Sequence, residues 1–116
     1  MPEFTIVRYL DIEGRAPFQR WFERLGPLEM AKVTMGLDRL AAGNFSNAKP
    51  VGAGVIELRI HYGPGYRVYF GRRGARLIVL LAGGTKKRQA QDITMAIQAW
   101  RDYSSCKGAG SQTPED

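Results

Sequence analysis

The sequence predicts an α+β fold, with a small, mostly antiparallel sheet, two N-terminal helices packed on it and a C-terminal helix. Three observations predict this class. Residues 4–9 and 56–82 carry alternating or continuous apolar runs that are typical of strands. Residues 17–40 and 89–103 repeat apolar residues every three or four positions, as amphipathic helices do. Because most strands and helices are segregated along the chain, we expect the helices on one face of the sheet.

The first strand is predicted from Phe4 to Tyr9, where β-branched and aromatic residues dominate. Pro17 then suits the first turn of a helix. The apolar stripe of this helix has i, i+3, i+4 and i+7 spacing and consists of Phe18, Trp21, Phe22 and Leu25. We expect the first strand at an edge of the sheet, far from the hairpin turn that follows later in the chain.

A second helix is predicted after Gly26-Pro27, because that pair breaks the first helix and places proline in a new first turn. Gly43 is a suitable stop for it. Its buried side is predicted to consist of Met30, Val33, Leu37 and Leu40. The two helices should therefore form an antiparallel or steeply crossed pair.

Three meander strands and a last helix complete the prediction. Alternation predicts strands over residues 56–61 and 66–70, and the apolar run Arg76 to Ala82 predicts a strand covered on both faces. Gly83-Gly84 should end that strand. The last helix should begin at Lys86 or Gln89 and reach Tyr103, with an inner stripe of Ala90, Ile93, Ile97 and Trp100. Residues 1–103 are thus predicted as one domain and residues 104–116 as a flexible polar tail.

Composition limits the kind of protein and its partners. Seventeen Lys and Arg against eleven Asp and Glu give a net charge of +6, which favours nucleic acid or an acidic protein as partner. One cysteine, Cys106, cannot form an internal disulfide, which fits the reducing cytoplasm. The N-terminus does not resemble a signal peptide, and no apolar run approaches membrane-spanning length. No residue spacing predicts a metal site, and the absence of a glycine fingerprint gives no reason to expect a nucleotide cofactor.

The hairpin around Gly63-Pro64-Gly65 carries an unusual set of polar side chains. An odd loop length is needed to keep the apolar residues of both strands on one face. A three-residue loop would place Arg59 opposite Arg67, and a five-residue loop would place His61 opposite Arg67. In both registers one face of the sheet carries Glu57, Arg59, His61, Arg67 and Tyr69.

Two interpretations of this polar face remain open at the level of residue patterns. It is either the solvated side of a sheet or an open surface that holds phosphate. Arginine matches phosphate oxygens bidentately, and interleaved tyrosines such as Tyr66 and Tyr69 offer stacking surfaces for unpaired bases. Single-stranded RNA is the nucleic acid that best suits such a surface. Lys86, Lys87 and Arg88 add positive charge at the start of the last helix, where an anionic ligand would offset their unfavourable position.

Four segments carry a family resemblance. They are "FQRWFERL" at 18–25, "ELRIHYGPGYRVYF" at 57–70, "IVLLAGGTKKRQAQDI" at 78–93 and "AIQAWRDY" at 96–103. With them the chain resembles the RelE/ParE superfamily of type II toxin–antitoxin toxins, and in particular its phage-derived, HigB-like addiction module killer branch. The resemblance implies a RelE-like fold and a cytoplasmic ribosome-dependent endoribonuclease (an mRNA interferase) that inhibits translation. It further implies RNA binding and a hetero-oligomer with a cognate antitoxin, expected to be a small helix-turn-helix protein.

The resemblance also suggests roles for individual residues. Arg59 and Arg67 match positions associated with the phosphate at the cut, and Tyr69 matches an aromatic that stacks on a base. Lys86 and Lys87 lie in the basic segment associated with RNA. Some branches use histidines near the C-terminus for acid–base work, whereas here His61 is the one histidine of the chain. In the ParE branch of the same fold the activity is instead inhibition of DNA gyrase without RNA cleavage, which is the alternative function.

A metal-independent mechanism is consistent with both lines of argument. The RNA 2′-hydroxyl would attack the adjacent phosphorus, leaving a cyclic phosphate and a free 5′-hydroxyl. Arginine stays protonated, so Arg59 and Arg67 can act only as electrostatic stabilisers. His61 is the hypothetical general base or acid, because its ordinary pKa lies nearest neutrality. Tyr69 or Lys86 would need a large downward pKa shift to serve instead.

Overall fold

The computed structural model describes residues 3–105 and forms one five-stranded sheet with three helices. A single 3₁₀ turn, Lys86–Arg88, precedes the last helix. In chain order the elements are β1 (Thr5–Arg8), α1 (Pro17–Glu23), α2 (Pro27–Ala41), β2 (Ala48–Gly52), β3 (Val55–Ile60), β4 (Tyr66–Arg73), β5 (Leu77–Thr85) and α3 (Gln89–Ser105). The predicted α+β class is confirmed, with both N-terminal prolines in the first turns of their helices.

The strand order in the sheet is β1-β5-β4-β3-β2. Strand β1 lies at an edge, as predicted, and runs parallel to β5 with Thr5 beside Leu77. The other pairs are antiparallel. In the hairpin of β3 and β4, Arg59 pairs with Arg67, which is the first of the two predicted registers.

The helices lie on both faces of the sheet, so the prediction that they share one face is wrong. Helices α1 and α2 contribute Phe18, Val33 and Leu40 to a core with residues such as Val68 and Ile78. Helix α3 packs on the opposite face, where its partners include Tyr69, Val79 and Leu81 together with Ala96 and Ala99 of the helix itself. The continuously apolar β5 explains this arrangement, because both of its faces need cover.

Strand β2 was not predicted, because lysine, proline and glycine are poor strand formers. The position of β2 in the sheet explains why these residues can still form a strand. At the edge of the sheet it pairs only with β3, through contacts such as Pro50 beside Ile56, and an edge strand tolerates a residue without an N–H donor.

Strand β5 continues to Thr85 instead of ending at Gly83, as the glycine pair had suggested. A bulge near Leu81 shifts its pairing with β4, so that Tyr69 lies beside Ala82 and Phe70 beside Leu80. Gly83 and Gly84 are glycines because neighbouring side chains pack directly on the backbone there. A Cβ on Gly83 would overlap the ring of Trp21, and one on Gly84 would overlap the carboxylate of Asp92.

Helix α3 begins at Gln89, one of the two predicted starts, and continues to Ser105, two residues beyond the predicted end. The predicted flexible tail therefore begins inside this helix, and its residues 106–116, with Cys106, lie outside the described residues. None of the helices within residues 3–105 has the length and apolarity that crossing a bilayer requires.

Candidate functional site

A groove at the hairpin end of the sheet brings together most of the predicted site residues. It has a volume of about 360 Å³. We call it the hairpin groove, and it is lined by the hairpin segment from Arg59 to Arg67 together with Lys86. Its charged or titratable side chains are Arg59, His61, Tyr62, Tyr66, Arg67 and Lys86.

The turn holds the two strands so that their polar side chains meet. Gly63 and Gly65 have φ of 56° and 89°, a region that non-glycine residues seldom adopt. The backbone N–H of Gly65 donates to the carbonyl of Tyr62, which closes the turn. Arg59 lies near the end of β3, and His61 follows just after the strand ends. Both side chains are exposed. They form the accessible wall of the groove.

Arg67 differs from its partner Arg59, because it is only 6% exposed and forms the floor of the groove. Its Nε lies 3.4 Å from Oε2 of Glu57, which is within ion-pair distance but not aligned for a hydrogen bond. Its Nη1 lies 3.9 Å from where a Cβ of Gly65 would stand, directly beneath the turn. The guanidinium therefore turns its Nε towards a buried carboxylate and extends its terminal nitrogens towards the groove.

Glu57 is completely buried and joins three elements around Arg67. Its Oε2 accepts hydrogen bonds from the hydroxyl of Tyr69 (3.1 Å) and from Nε2 of Gln89 (2.8 Å), the first residue of α3. Oε1 has no partner within the described residues. A buried carboxylate requires such partners, so this network fixes Arg67 through contacts from β3, β4 and α3.

The predicted open, water-facing sheet surface is wrong for its inner half. Helix α3 covers Glu57, Arg67 and Tyr69, and the ring of Tyr69 is fully buried, so it offers no surface on which a base can stack. Burial, and secondarily the Glu57 carboxylate, raise the pKa of Tyr69 well above its ordinary value. This is opposite to the downward shift that a proton-transfer role would require.

Tyr66 also lies deeper than the stacking prediction assumed. It is 9% exposed and belongs to the core under α1 and α2, with its ring 6.4 Å from that of Trp21. It still lines the wall of the hairpin groove. The accessible aromatic in this groove is instead Tyr62, which is half-buried and has the ammonium of Lys32 5.3 Å from its ring centre.

The basic turn between β5 and α3 separates two surfaces. Lys86, Lys87 and Arg88 are all exposed. Lys86 lines the hairpin groove, whereas Arg88 lines a different groove beside β5. The Nε of Arg88 donates to Oε1 of Gln91 at 2.9 Å. Lys86 and Arg88 are therefore near neighbours in sequence that line separate grooves.

The hairpin groove has the chemical features of an anion site. It combines two permanently charged guanidiniums, one ammonium and one imidazole within a narrow space. Arginines in such an arrangement bind and stabilise a phosphate or the charge that develops on it. In residues 3–105 no cluster of three His, Cys, Asp or Glu side chains is positioned to hold a metal ion.

Sequence patterns placed Glu57 on the polar face with the arginines but did not identify Gln89 as the partner of its carboxylate. One signal was available for each. Glu57 lies on the polar face of β3 between the half-buried Ile56 and the buried Leu58, and Gln89 lies at the first helical position after the basic turn. Without the position of α3 neither signal indicates that the two side chains meet.

Two comparisons relate the chain to known proteins. Residues 20–101 match the family described as phage-derived protein Gp49-like (DUF891). A protein of Haemophilus influenzae (strain ATCC 51907 / DSM 11121 / KW20 / Rd), described only as uncharacterized, is 40% identical over 88 residues. The matched region covers 75% of this chain and 89% of that protein. The chain therefore belongs to the phage-derived Gp49-like family, which is associated with the toxins of toxin–antitoxin systems.

Proposed function

We propose that this protein is the toxin of a type II toxin–antitoxin system, of the HigB-like kind, and that it inhibits translation by ribosome-dependent cleavage of mRNA in the hairpin groove. The observation that carries the proposal is the placement of Arg59, His61, Arg67 and Lys86 around one groove. The family association supports a toxin, and the groove chemistry supports a phosphodiester substrate. The site of action is the cytoplasm, where ribosomes, mRNA and a cognate antitoxin are available.

The mechanism begins with attack of the RNA 2′-hydroxyl on the neighbouring phosphorus. His61 takes the proton of that hydroxyl as general base, the bond from phosphorus to the 5′-oxygen breaks, and a 2′,3′-cyclic phosphate forms. The departing 5′-oxygen takes its proton from solvent, while Lys86, which lines the same groove, binds the flanking phosphate as an ammonium. No metal enters these steps.

The two arginines have different tasks because of their burial. Arg67 is held by Glu57 before substrate arrives, so its terminal nitrogens are preorganised for the phosphorane charge. Arg59 is exposed and free to approach the phosphate as the strand binds. Most of the groups that would bind the RNA are exposed side chains, which hold a substrate only loosely. The ribosome must therefore provide part of the substrate orientation, and free RNA should be a poor substrate.

The test uses purified ribosomes programmed with a defined mRNA, with cleavage mapped by the new 5′ ends. Arg59→Ala should lower the cleavage rate by about a hundredfold, the usual effect of removing one stabilising donor. Arg76→Ala is the matched control, because that exposed arginine lies in the β4–β5 turn outside the hairpin groove. Arg59 is the better test than Arg67, since its removal leaves no buried charge.

Two outcomes would contradict the proposal. One is the absence of new 5′ ends with the wild-type protein, and the other is equal cleavage by Arg59→Ala. Inhibition of DNA supercoiling by purified gyrase, unaffected by Arg59→Ala, would instead support a toxin of the ParE kind. The antitoxin is expected to place acidic or bulky surface over the basic groove, so purified antitoxin should abolish cleavage.

A further inference from the structure

A second groove lies beside the free part of strand β5. Strand β1 pairs with residues 77–80 of β5, so within the described strands residues 81–85 have no neighbour on that side. The space, which we call the edge groove, lies between α1 and the start of α3 and has a volume of about 500 Å³. The backbone of Gly83 and Gly84 forms part of its lining.

Positive charge dominates the edge groove. Four arginines and two aspartates line it, namely Arg15, Arg20, Arg24, Arg88, Asp11 and Asp92. Arg15 is paired with Glu13 at 3.0 Å, and Arg88 is oriented by Gln91. Within residues 3–105 no ion pair engages the exposed Arg20 or Arg24. These two cations on one side of α1 are available for an anionic ligand.

Asp92 is the unusual group of the edge groove. It is 9% exposed, and its Oδ2 is buried without a hydrogen-bond partner among the described residues. The carboxylate is seated on Gly84, where a Cβ would displace it. Burial raises the pKa of Asp92, and the attraction of Arg88 opposes that rise without cancelling it. A buried acceptor without a donor is costly, so a ligand that brings donors would relieve it.

Trp21 lies on the other side of the strand and supplies an aromatic wall. Its half-buried ring packs on Gly83, and it lines the edge groove. The glycine pair thus allows an indole and a carboxylate to sit close to the backbone on either side of one strand. An aromatic surface, a carboxylate and two arginines are the groups that bind a base and its flanking phosphates.

The edge groove and the hairpin groove lie on either side of the basic turn. Lys86 lines the hairpin groove, and the residues on either side of Lys86-Lys87, Thr85 and Arg88, line the edge groove. A single strand that passes from the first groove to the second along this turn would meet the exposed Lys87 and Arg88. An acidic peptide would also meet the arginines, but it would bring further carboxylates towards Asp92.

We propose that the edge groove is a second RNA subsite, in which Asp92 accepts hydrogen bonds from a guanine close to the cleaved position while Arg20 and Arg24 bind the flanking phosphates. Guanine is the base with two adjacent donors, N1–H and the 2-amino group, and the Asp92 carboxylate, whose Oδ2 is buried against Gly84, rotates towards the groove to accept from both. This inference rests on the proposed function and adds a sequence preference to it. Asp92 is a specificity-determining residue in this role and takes no part in bond cleavage.

The test measures binding of fluorescent six-nucleotide RNAs that are 2′-O-methylated throughout, so that they cannot be cleaved. Three RNAs differ only at one central position, which is guanine, inosine or adenine. The wild-type protein should bind the guanine RNA about tenfold more tightly than the adenine RNA. Inosine, which lacks the 2-amino group, should fall between them. Asp92→Asn should reduce the preference for guanine to less than about twofold.

The arginines are tested with the double variant Arg20→Ala/Arg24→Ala in the same assay. It should weaken binding of all three RNAs by the same factor and lower the slope of log affinity against log salt by about 1.4, at about 0.7 per phosphate contact of a single strand. The matched control, Arg76→Ala/Arg101→Ala, removes two exposed arginines outside the edge groove. Circular dichroism and thermal unfolding of each variant verify that it folds.

Equal binding of the three RNAs by the wild-type protein would overturn the proposal, as would a guanine preference that persists in Asp92→Asn. Unchanged RNA binding by Arg20→Ala/Arg24→Ala, with weakened binding of a synthetic Glu/Asp decapeptide, would overturn it in favour of an acidic peptide. Failure of the proposed function is distinguishable. Cleavage on ribosomes depends on the hairpin groove, whereas the methylated RNAs report binding without cleavage.

Discussion

Arg59 and Arg67 are paired across the same hairpin, yet they lie in opposite environments. Arg59 is exposed, whereas Arg67 is 6% exposed and is held by the buried Glu57. The alternating pattern that places both on one face says nothing about what covers that face. Helix α3 covers Tyr69 and Glu57 on this face, whereas Arg59 near the end of β3 stays exposed. One face therefore contains a buried polar network and an accessible wall, and only the second is free to move with a ligand.

The largest expected difference between the two arginines is in stability. Arg67→Ala should lower the free energy of unfolding by about 3–5 kcal/mol, because it leaves the Glu57 carboxylate buried without its counter-charge. Arg59→Ala should change it by less than about 0.5 kcal/mol. Urea unfolding followed by tryptophan fluorescence measures both.

A second substitution verifies the cause of that loss. Adding Glu57→Gln to Arg67→Ala should recover most of the stability, because a neutral amide needs no counter-charge and can still accept from Tyr69. Two results would contradict this explanation: equal destabilisation by Arg59→Ala and Arg67→Ala, or no recovery in the double variant. Either would show that the ion pair with Glu57 is not the reason why Arg67 matters more for stability than Arg59.

The parts of the fold that the sequence predicts best are those where local pattern and tertiary position agree. The apolar stripe of α1 and the alternation of β3 and β4 are followed in the structure, and the hairpin register is one of the two that the pattern allows. Strand β2 escaped prediction because Pro50 and Gly52 oppose a strand locally, and only its place at the sheet edge permits one.

The site was predicted less completely than the fold, for a physical reason. Residue spacing identified Arg59, His61 and Arg67 as neighbours, and they do line one groove. Burial depends on where α3 packs, and the apolar run of β5 already indicated cover on both faces. A strand covered on both faces is incompatible with the prediction that all helices lie on one face of the sheet. This incompatibility already indicated that the polar face, with Tyr69 and Glu57, would be partly buried.

Tyr69→Phe should have a smaller effect and sharpens the contrast between the buried network and the open wall. Loss of the hydroxyl that donates to Glu57 should cost about 1.5 kcal/mol of stability at neutral pH. The cleavage rate should change little, because the buried ring does not reach substrate and the ion pair of Glu57 with Arg67 remains. A hundredfold loss of cleavage in a folded Tyr69→Phe protein would place Tyr69 back in the catalytic machinery.

The same substitution has a pH signature. The pKa of Tyr69 is raised in the folded protein, so the folded state keeps the phenol proton that the unfolded state releases above about pH 10. Stability from this group is complete below that pH and falls as the pH rises further. As the pH rises above 10, Tyr69→Phe should therefore lose less stability than the wild type does. Tyr62→Phe is the control, because the ring of Tyr62 is half-buried and its hydroxyl has no partner among the described hydrogen bonds. Its loss of stability with pH should match that of the wild type.

The smallest expected effect comes from Asp92, whose buried carboxylate differs from that of Glu57 in its partners. Glu57 has donors from Tyr69 and Gln89, whereas Oδ2 of Asp92 has none within the described residues. Because burial raises the pKa of Asp92, the folded state holds its proton to a higher pH than the unfolded state does. Its contribution to stability is therefore complete below about pH 4 and is lost as the pH rises through the folded pKa.

Asp92→Asn should consequently be more stable than the wild type at neutral pH. This gain in the free energy of unfolding should be smaller than the loss expected for Tyr69→Phe, and it should disappear at acid pH. Asp38→Asn is the matched control, because Asp38 is exposed on α2 and should show no such pH-dependent gain. Thermal unfolding from pH 3 to 7 measures the difference. A loss of stability at neutral pH would mean that the Asp92 charge is satisfied inside the fold, which would remove the physical reason for assigning it to a ligand. A gain would show a charge retained at the expense of stability, as expected of a side chain that acts on something outside the domain.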